Sequence, residues 1–249
     1  MEAKKFPQNI KWNLSFSINW KNRKEANSLN LFNRRTYSQN GEDGILEFIF
    51  DRLGIKKGAF LEIGVESGKE CNTRLLIEKG WEGKQFDYNQ KETPILRNHF
   101  VTAENINNLV KQYDIPKNVD LFSIDIDGND YWIWRALNVI EPKVISIEYN
   151  SAISQHPPMV QGYKADCVWD GTLGYGANLE ALIDLAKDKG YTCIGTDFRG
   201  VNAFFIRNNL MEKYFPNFVD KKFSDLFNSP KFKLHPSPKD LNRFIIMER

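Results

Sequence analysis

Asp120-Leu-Phe-Ser-Ile-Asp-Ile-Asp-Gly-Asn-Asp130-Tyr-Trp132 is the stretch that decides the fold. Leu121, Phe122, Ile124 and Ile126 form a short run of β-formers, as expected of a strand buried on both faces. The run carries Asp125 and Asp127 to its end, where Gly128 turns the chain into a helix over 131–137. Acids at the carboxyl end of a buried strand stand where open α/β sheets bind ligands.

The same rhythm extends outward in both directions. Downstream, Lys143-Val-Ile-Ser-Ile-Glu148-Tyr-Asn150 is the next strand. Upstream, Gly58-Ala-Phe-Leu-Glu-Ile-Gly64-Val is a first strand, Gly83-Lys-Gln-Phe-Asp87-Tyr a second and Phe100-Val-Thr-Ala a third, closing at Glu104-Asn105. Helices are expected over 70–80 and 106–113 between them, and alternation at this spacing predicts a parallel, doubly wound sheet. After a helix over 178–190, strands at 191–196 and 202–206 are joined by Asp197-Phe-Arg-Gly, a turn short enough to make them antiparallel neighbours.

Three regions frame this core. Residues 1–36 are polar and read as an amino-terminal arm with a short helix near 24–32. Such an arm packs on a neighbouring subunit or stays free, so a homo-oligomer is left open. Tyr37-Ser-Gln-Asn-Gly-Glu-Asp43 leads into apolar residues 45, 46, 49, 50 and 53, one face of a helix. It reads first as a helix start capped by Asp43, and second as a polar loop closing over a ligand. Residues 37–210 form the main domain, with a long loop at 151–177, the kind that serves as a lid or binding loop. Residues 211–249 form an aromatic, basic extension packed on that domain, broken by Pro216, Pro230, Pro236 and Pro238.

Composition narrows the function classes. The 34 basic and 32 acidic side chains nearly cancel, for a net charge of +2, which argues against a nucleic-acid binder. Cys71, Cys167 and Cys193 are widely spaced and odd in number, so neither a disulfide framework nor a zinc site assembles from them. Met1-Glu-Ala-Lys-Lys-Phe-Pro7 has no apolar core for a signal peptide, and no run approaches the roughly 20 apolar residues of a membrane span. A cytoplasmic protein is expected.

The first turn reads Glu62-x-Gly64-x-Glu66-x-Gly68. Glycines there let backbone approach a ligand, and the following helix start favours an anion. It does not fit the GxGxxG dinucleotide fingerprint, and no plausible catalytic Tyr-x-x-x-Lys or His dyad accompanies it, which disfavours a dehydrogenase. Asp87 ends the second strand, where an acid can accept from both ribose hydroxyls; Glu104 and Asn105 end the third, where a polar group can meet an adenine amine. With Asp125 and Asp127, these groups converge on one crevice.

Four strings together resemble the FkbM-type methyltransferases that use S-adenosylmethionine (SAM). They are Tyr37-Ser-Gln-Asn-Gly-Glu-Asp43, Glu62-Ile-Gly-Val-Glu-Ser-Gly-Lys-Glu-Cys-Asn-Thr73, Ser123-Ile-Asp-Ile-Asp-Gly-Asn-Asp-Tyr-Trp132 and Ile147-Glu-Tyr-Asn150. The likeness runs from about Tyr37 to Arg207, and departs from the common motif where Glu66 replaces its middle glycine. It implies the Rossmann-like class I fold, a seven-stranded, mostly parallel sheet with an antiparallel last strand and helices on both faces. It implies SAM held by Glu62, Gly64, Glu66, Gly68, Asp87, Glu104, Asn105 and Asp125. It also implies O-methyl transfer, with a sugar, sugar nucleotide or surface (capsular) polysaccharide precursor as acceptor.

Asp127-Gly-Asn-Asp130 and Glu148-Tyr-Asn150 are a second constellation. Hard oxygen ligands grouped this way suit Mg²⁺ or Mn²⁺, and Asp127 and Glu148 are the candidate ligands. The pattern resembles that of metal-dependent macrolide-sugar O-methyltransferases, but Asp130 stands at their histidine position and Asn150 at their second acid, so the metal is left open. Asp127 and Glu148 are expected to position the acceptor hydroxyl, with Asp130 or His156 as base. His156-Pro-Pro also reads as a plain turn. Asn150, Trp169, Asp170 and Tyr175 are the candidate acceptor contacts. The alternatives are another small-molecule or phosphorylated acceptor, or a non-catalytic binding module.

Overall fold

A computed structural model describes residues 25–231 and 235–247; the expectations for residues 1–24 fall outside them. Seven strands form the main sheet: β1 (Ala59–Ile63), β2 (Glu82–Asp87), β3 (Leu96–Asn98), β4 (Leu121–Ile124), β5 (Val144–Glu148), β7 (Tyr191–Thr196) and β8 (Asn202–Arg207). Their spatial order is β3-β2-β1-β4-β5-β8-β7. The β3, β2, β1, β4 and β5 neighbours pair in parallel, and β8 runs antiparallel to both β5 and β7. A reversed strand set between the fifth strand and the edge gives the sheet of the Rossmann-like class I methyltransferase fold.

Alternation along the central strands sorts two cores. Phe60, Leu121, Val144, Phe204 and Ile206 face α1 (Glu42–Leu53), which supplies Ile45, Leu46, Phe48 and Ile49. Leu61, Ile63, Phe122, Ile124, Ile145, Ile147 and Phe205 face α3 (Ile106–Gln112), α4 (Asp130–Ala136) and α5 (Leu179–Lys189). Burial on both faces explains why these strands are continuously apolar. The same period of two puts Glu62, Ser123, Ser146, Glu148 and Asn202 on the α1 face. Leu29 and Phe32, in a 3-10 turn at Leu29–Phe32, are buried against α1, with the Phe32 and Phe48 rings stacked at 3.7 Å.

Three expectations need correction. The third strand is Leu96–Asn98, not 100–103. Asn105 Oδ1 accepts the Thr102 amide at 2.8 Å and its Nδ2 donates to Phe100 O, curling that segment into a turn before α3. The helix expected over 70–80 is only α2 (Arg74–Glu78), because the Asn72 and Thr73 amides turn to Glu62 instead of entering a helix. The 151–177 loop is not structureless: β6 (Met159–Gln161) pairs antiparallel with β9 (Phe244–Ile246) from the carboxyl-terminal extension. No helix among the described residues is long and apolar enough to cross a membrane.

Candidate active site

The first turn is built for close approach. Gly64 has φ +80°, and a Cβ there would lie 1.7 Å from Asp125 O, so β1 and β4 ends press together as only glycine permits. Glu66, also left-handed at φ 49°, has its side chain in solvent and donates its amide to Asp87 Oδ2 at 2.6 Å. Burial raises the Asp87 carboxyl above the usual range, against the amides of Glu66, Tyr88 and Val65.

Glu62 is buried and engaged by neighbouring donors. It accepts the amides of Asn72 (2.8 Å) and Thr73 (3.1 Å), the Thr73 hydroxyl, and the Ser123 hydroxyl (3.3 Å). Asn72 Nδ2 continues the network to the hydroxyls of Ser123 (3.1 Å) and Ser146 (3.4 Å). Glu62, Ser123 and Ser146 are register partners across β1, β4 and β5, so a hydrogen-bonded polar row crosses the sheet beneath the crevice.

Two residues further along β4 and β5, the acids gather. Carboxylate oxygens of Asp125, Asp127 and Glu148 all lie within 4.8 Å of one another. Asp127 sits at φ 53°, a left-handed position at which Asp is among the tolerated residues. Burial, then the charges of Asp130 and Glu66, push its carboxyl up to about 6. Burial, then Asp127, Asp130, Glu42 and Glu62, hold Asp125 well above the carboxylate range. Glu148 is raised by burial, then by Asp125, Asp127 and Asp130; the Tyr175 hydroxyl opposes that only in part. Glu148 Oε2 is buried without a hydrogen-bond partner among the described residues.

The remaining candidates separate by role. Asp130 accepts the amides of Ile126 and Gly128, both at 3.0 Å, and so clamps the turn that aims Asp127. Asn150 donates to the carbonyls of Leu173 (2.9 Å) and Tyr175 (3.0 Å), holding the loop that carries Tyr175. His156 is not brought to the acids: its ring is 80% exposed, with Nδ1 2.8 Å from Glu180 Oε2 on α5. Glu104 is exposed and accepts the Tyr163 hydroxyl, and the Asn105 amide is engaged in its own turn. Trp169 is half exposed, its indole N–H donating to Thr172 O at 2.8 Å. Asp170 pairs with Arg243 at 2.7 Å, which holds its carboxyl below the usual range.

Several contributors escape the sequence reading. Arg243 lies beyond the apparent domain, and only the β6–β9 pairing brings it to the loop. Together with Gln161, Tyr163, Lys164, Asp166, Cys167 and Asp170 it lines a cavity of about 580 Å³. That cavity adjoins the turn between Asp127 and Asp130: Asn129 Nδ2 donates to Lys164 O at 2.7 Å, and a Cβ at Gly128 would lie 3.4 Å from Cys167 Sγ. Glu42, fully buried at the start of α1, is not singled out within the Tyr37–Asp43 string by the sequence.

No family model and no curated protein matches the sequence. Among solved structures, the chain is similar to TnmH at 14% identity, covering 60% of this chain and 50% of that one, with a TM-score of 0.36. It is likewise similar to the mitomycin 7-O-methyltransferase MmcR at 14% identity, covering 60% and 49%, with a TM-score of 0.32. The match spans about half the length of each of those proteins. The fold assignment rests on the strand order.

Proposed function

We propose that this chain is a SAM-dependent O-methyltransferase acting on a hydroxyl of a sugar, sugar nucleotide or surface-polysaccharide precursor. One observation carries the reading: the carboxyl edge of a class I sheet is lined by Asp87, Asp125, Asp127 and Glu148, the oxygens of the last three lie within 4.8 Å of one another, and other carboxylates, Asp130 in every case, crowd each of them. A pyrophosphate cofactor would be repelled there. A ligand with a sulfonium and an ammonium fits, because its positive charges relieve the crowding.

SAM, when bound, supplies a methyl group on a good leaving group. Asp87 would hold the ribose and the Gly64 turn the sulfonium side. Glu148, with Tyr175 beside it, orients the acceptor hydroxyl. Asp127 would take the proton of the acceptor hydroxyl, since a carboxyl near 6 is matched to proton transfer at neutral pH. Asp130 is committed to the turn and His156 stands apart, which leaves Asp127 as the favoured base. The adjoining cavity, walled by Tyr163 and by hydrogen-bonding groups of both charges, suits a polyhydroxylated acceptor.

The unpartnered Glu148 Oε2 favours a second reading, in which Mg²⁺ or Mn²⁺ is held by Asp125, Asp127 and Glu148 and polarises the acceptor hydroxyl. Titration calorimetry with S-adenosylhomocysteine, with and without Mn²⁺, tests both. Micromolar binding is expected, and tighter binding with Mn²⁺ supports the coupled metal. Absence of binding in either condition removes the proposal. Binding without turnover on any acceptor favours a non-catalytic binding module.

A further inference from the structure

The Tyr37–Asp43 string, read first as a helix start and second as a loop closing over a ligand, is built like one wall of a binding site. Helix α1 reaches the start of β1 after five residues, 54–58, so its own first turn stands at the opposite, carboxyl edge of the sheet. Asp43 Oδ2 gathers the amides of Thr36, Tyr37 and Ser38 at 2.7, 2.7 and 2.8 Å, which fixes the loop. Arg35 lies 3.6 Å from Glu70, and the Arg74 guanidinium lies 5.4 Å from the Tyr37 ring centre, which seats the loop against the first glycine turn.

This wall presents Glu42 inward. Its side chain accepts Asn40 N (2.8 Å), Asn40 Nδ2 (3.0 Å) and Asn202 Nδ2 (2.9 Å), and it has no ion pair among the described residues. Its charge reaches Asp125 and Asp197. Asn202 is 1% exposed and its Oδ1 has no hydrogen-bond partner among the described residues. It stands directly across the β5–β8 ladder from Glu148, whose Oε2 is also unpartnered. Directly opposed residues of an antiparallel pair share a face, so two orphan acceptors and an uncompensated carboxylate meet in one place. What they lack is a donor that carries positive charge.

We infer that Glu42 and Asn202 form the subsite for the α-ammonium of the cofactor's amino-acid end. The inference rests on the SAM reading above and orients that ligand: methionine end toward α1, adenosine end toward Asp87. A carboxylate in the same place would be repelled by Glu42, and a neutral hydroxyl would satisfy the orphan oxygens without offsetting its charge.

Calorimetry of wild type, Glu42→Gln and Asn202→Ala with two probes tests it. S-adenosylhomocysteine carries the amino-acid end; 5′-methylthioadenosine lacks it. Glu42→Gln should weaken S-adenosylhomocysteine at least tenfold and Asn202→Ala about fivefold, with 5′-methylthioadenosine affinity unchanged in both. An equal loss for both probes, or no loss for either, overturns the subsite; Asn202→Ala decides if Glu42→Gln does not fold. A wild type that binds neither probe removes the cofactor reading itself, a result distinct from loss of the subsite alone.

Discussion

Two polar layers lie on the same face of β4 and β5, one pleat apart. Ser123 and Ser146 belong to the lower layer with Glu62; Asp125 and Glu148 belong to the upper. In the lower layer Glu62 meets four donors, and Asn72 joins it to both serines. In the upper layer carboxylates crowd one another and Glu148 Oε2 has no hydrogen-bond partner among the described residues. Buried polar groups in a folded core are ordinarily paired. The satisfied layer is complete within the fold, and the unsatisfied one is where the proposed ligand would be held.

The largest expected effect tests that division through stability. Glu62→Ala leaves the Asn72 and Thr73 amides and two hydroxyls without their acceptor, and should cost at least about 3 kcal/mol. Glu148→Gln removes a charge from a repelling group and should leave stability unchanged or raise it by about 1 kcal/mol. Urea unfolding of the two variants measures both. Equal losses would mean that the upper layer is as structural as the lower.

A smaller effect is expected with pH. Asp127 is raised from 3.8 to about 6 and Asp197 from 3.8 to about 7. A carboxyl raised on folding binds its proton more tightly in the native state, so stability falls as pH rises. For these groups the decline runs from about pH 4 to about pH 7. Metal-free protein should therefore melt lower at pH 7.5 than at pH 5.5, on the order of 1 kcal/mol per group. Asp127→Asn should remove the portion near pH 6 and keep the portion near pH 7. Melting that rises with pH through this window would show the acids already compensated.

Much of this contrast could be read from residues, but not its decisive half. The run 121–126 was legible because a strand buried on both faces needs unbroken apolar character, and the acids at its end were legible by position. The β3 strand was not: Leu96-Arg-Asn98 is a three-residue edge strand, two of them polar, and the better β-formers at 100–103 are diverted by an Asn105 turn. The β6–β9 pairing was hidden because it joins a loop to a distant tail through three residues on each side. Glu62 and Glu148 look alike in sequence, each the acid of a β-strand. Only the fold shows that one is surrounded by amides and the other by carboxylates.

The smallest effect belongs to the rim of the cavity, where Asp170 meets Arg243 with side chains 47% and 40% exposed. An ion pair this open to water contributes about 0.5 kcal/mol, and rarely 1. Arg243→Ala should therefore leave the melting temperature nearly unchanged, in contrast to Glu62→Ala. Its consequence should fall on the acceptor instead, as a rise in KM with kcat held, because Arg243 lines the cavity without touching the acids. A large loss of stability would assign the pair to holding the β9 strap in place. Loss of kcat at constant KM would mean that the strap reaches through Gly128 to the turn that aims Asp127, and that rim and acidic edge act as one unit.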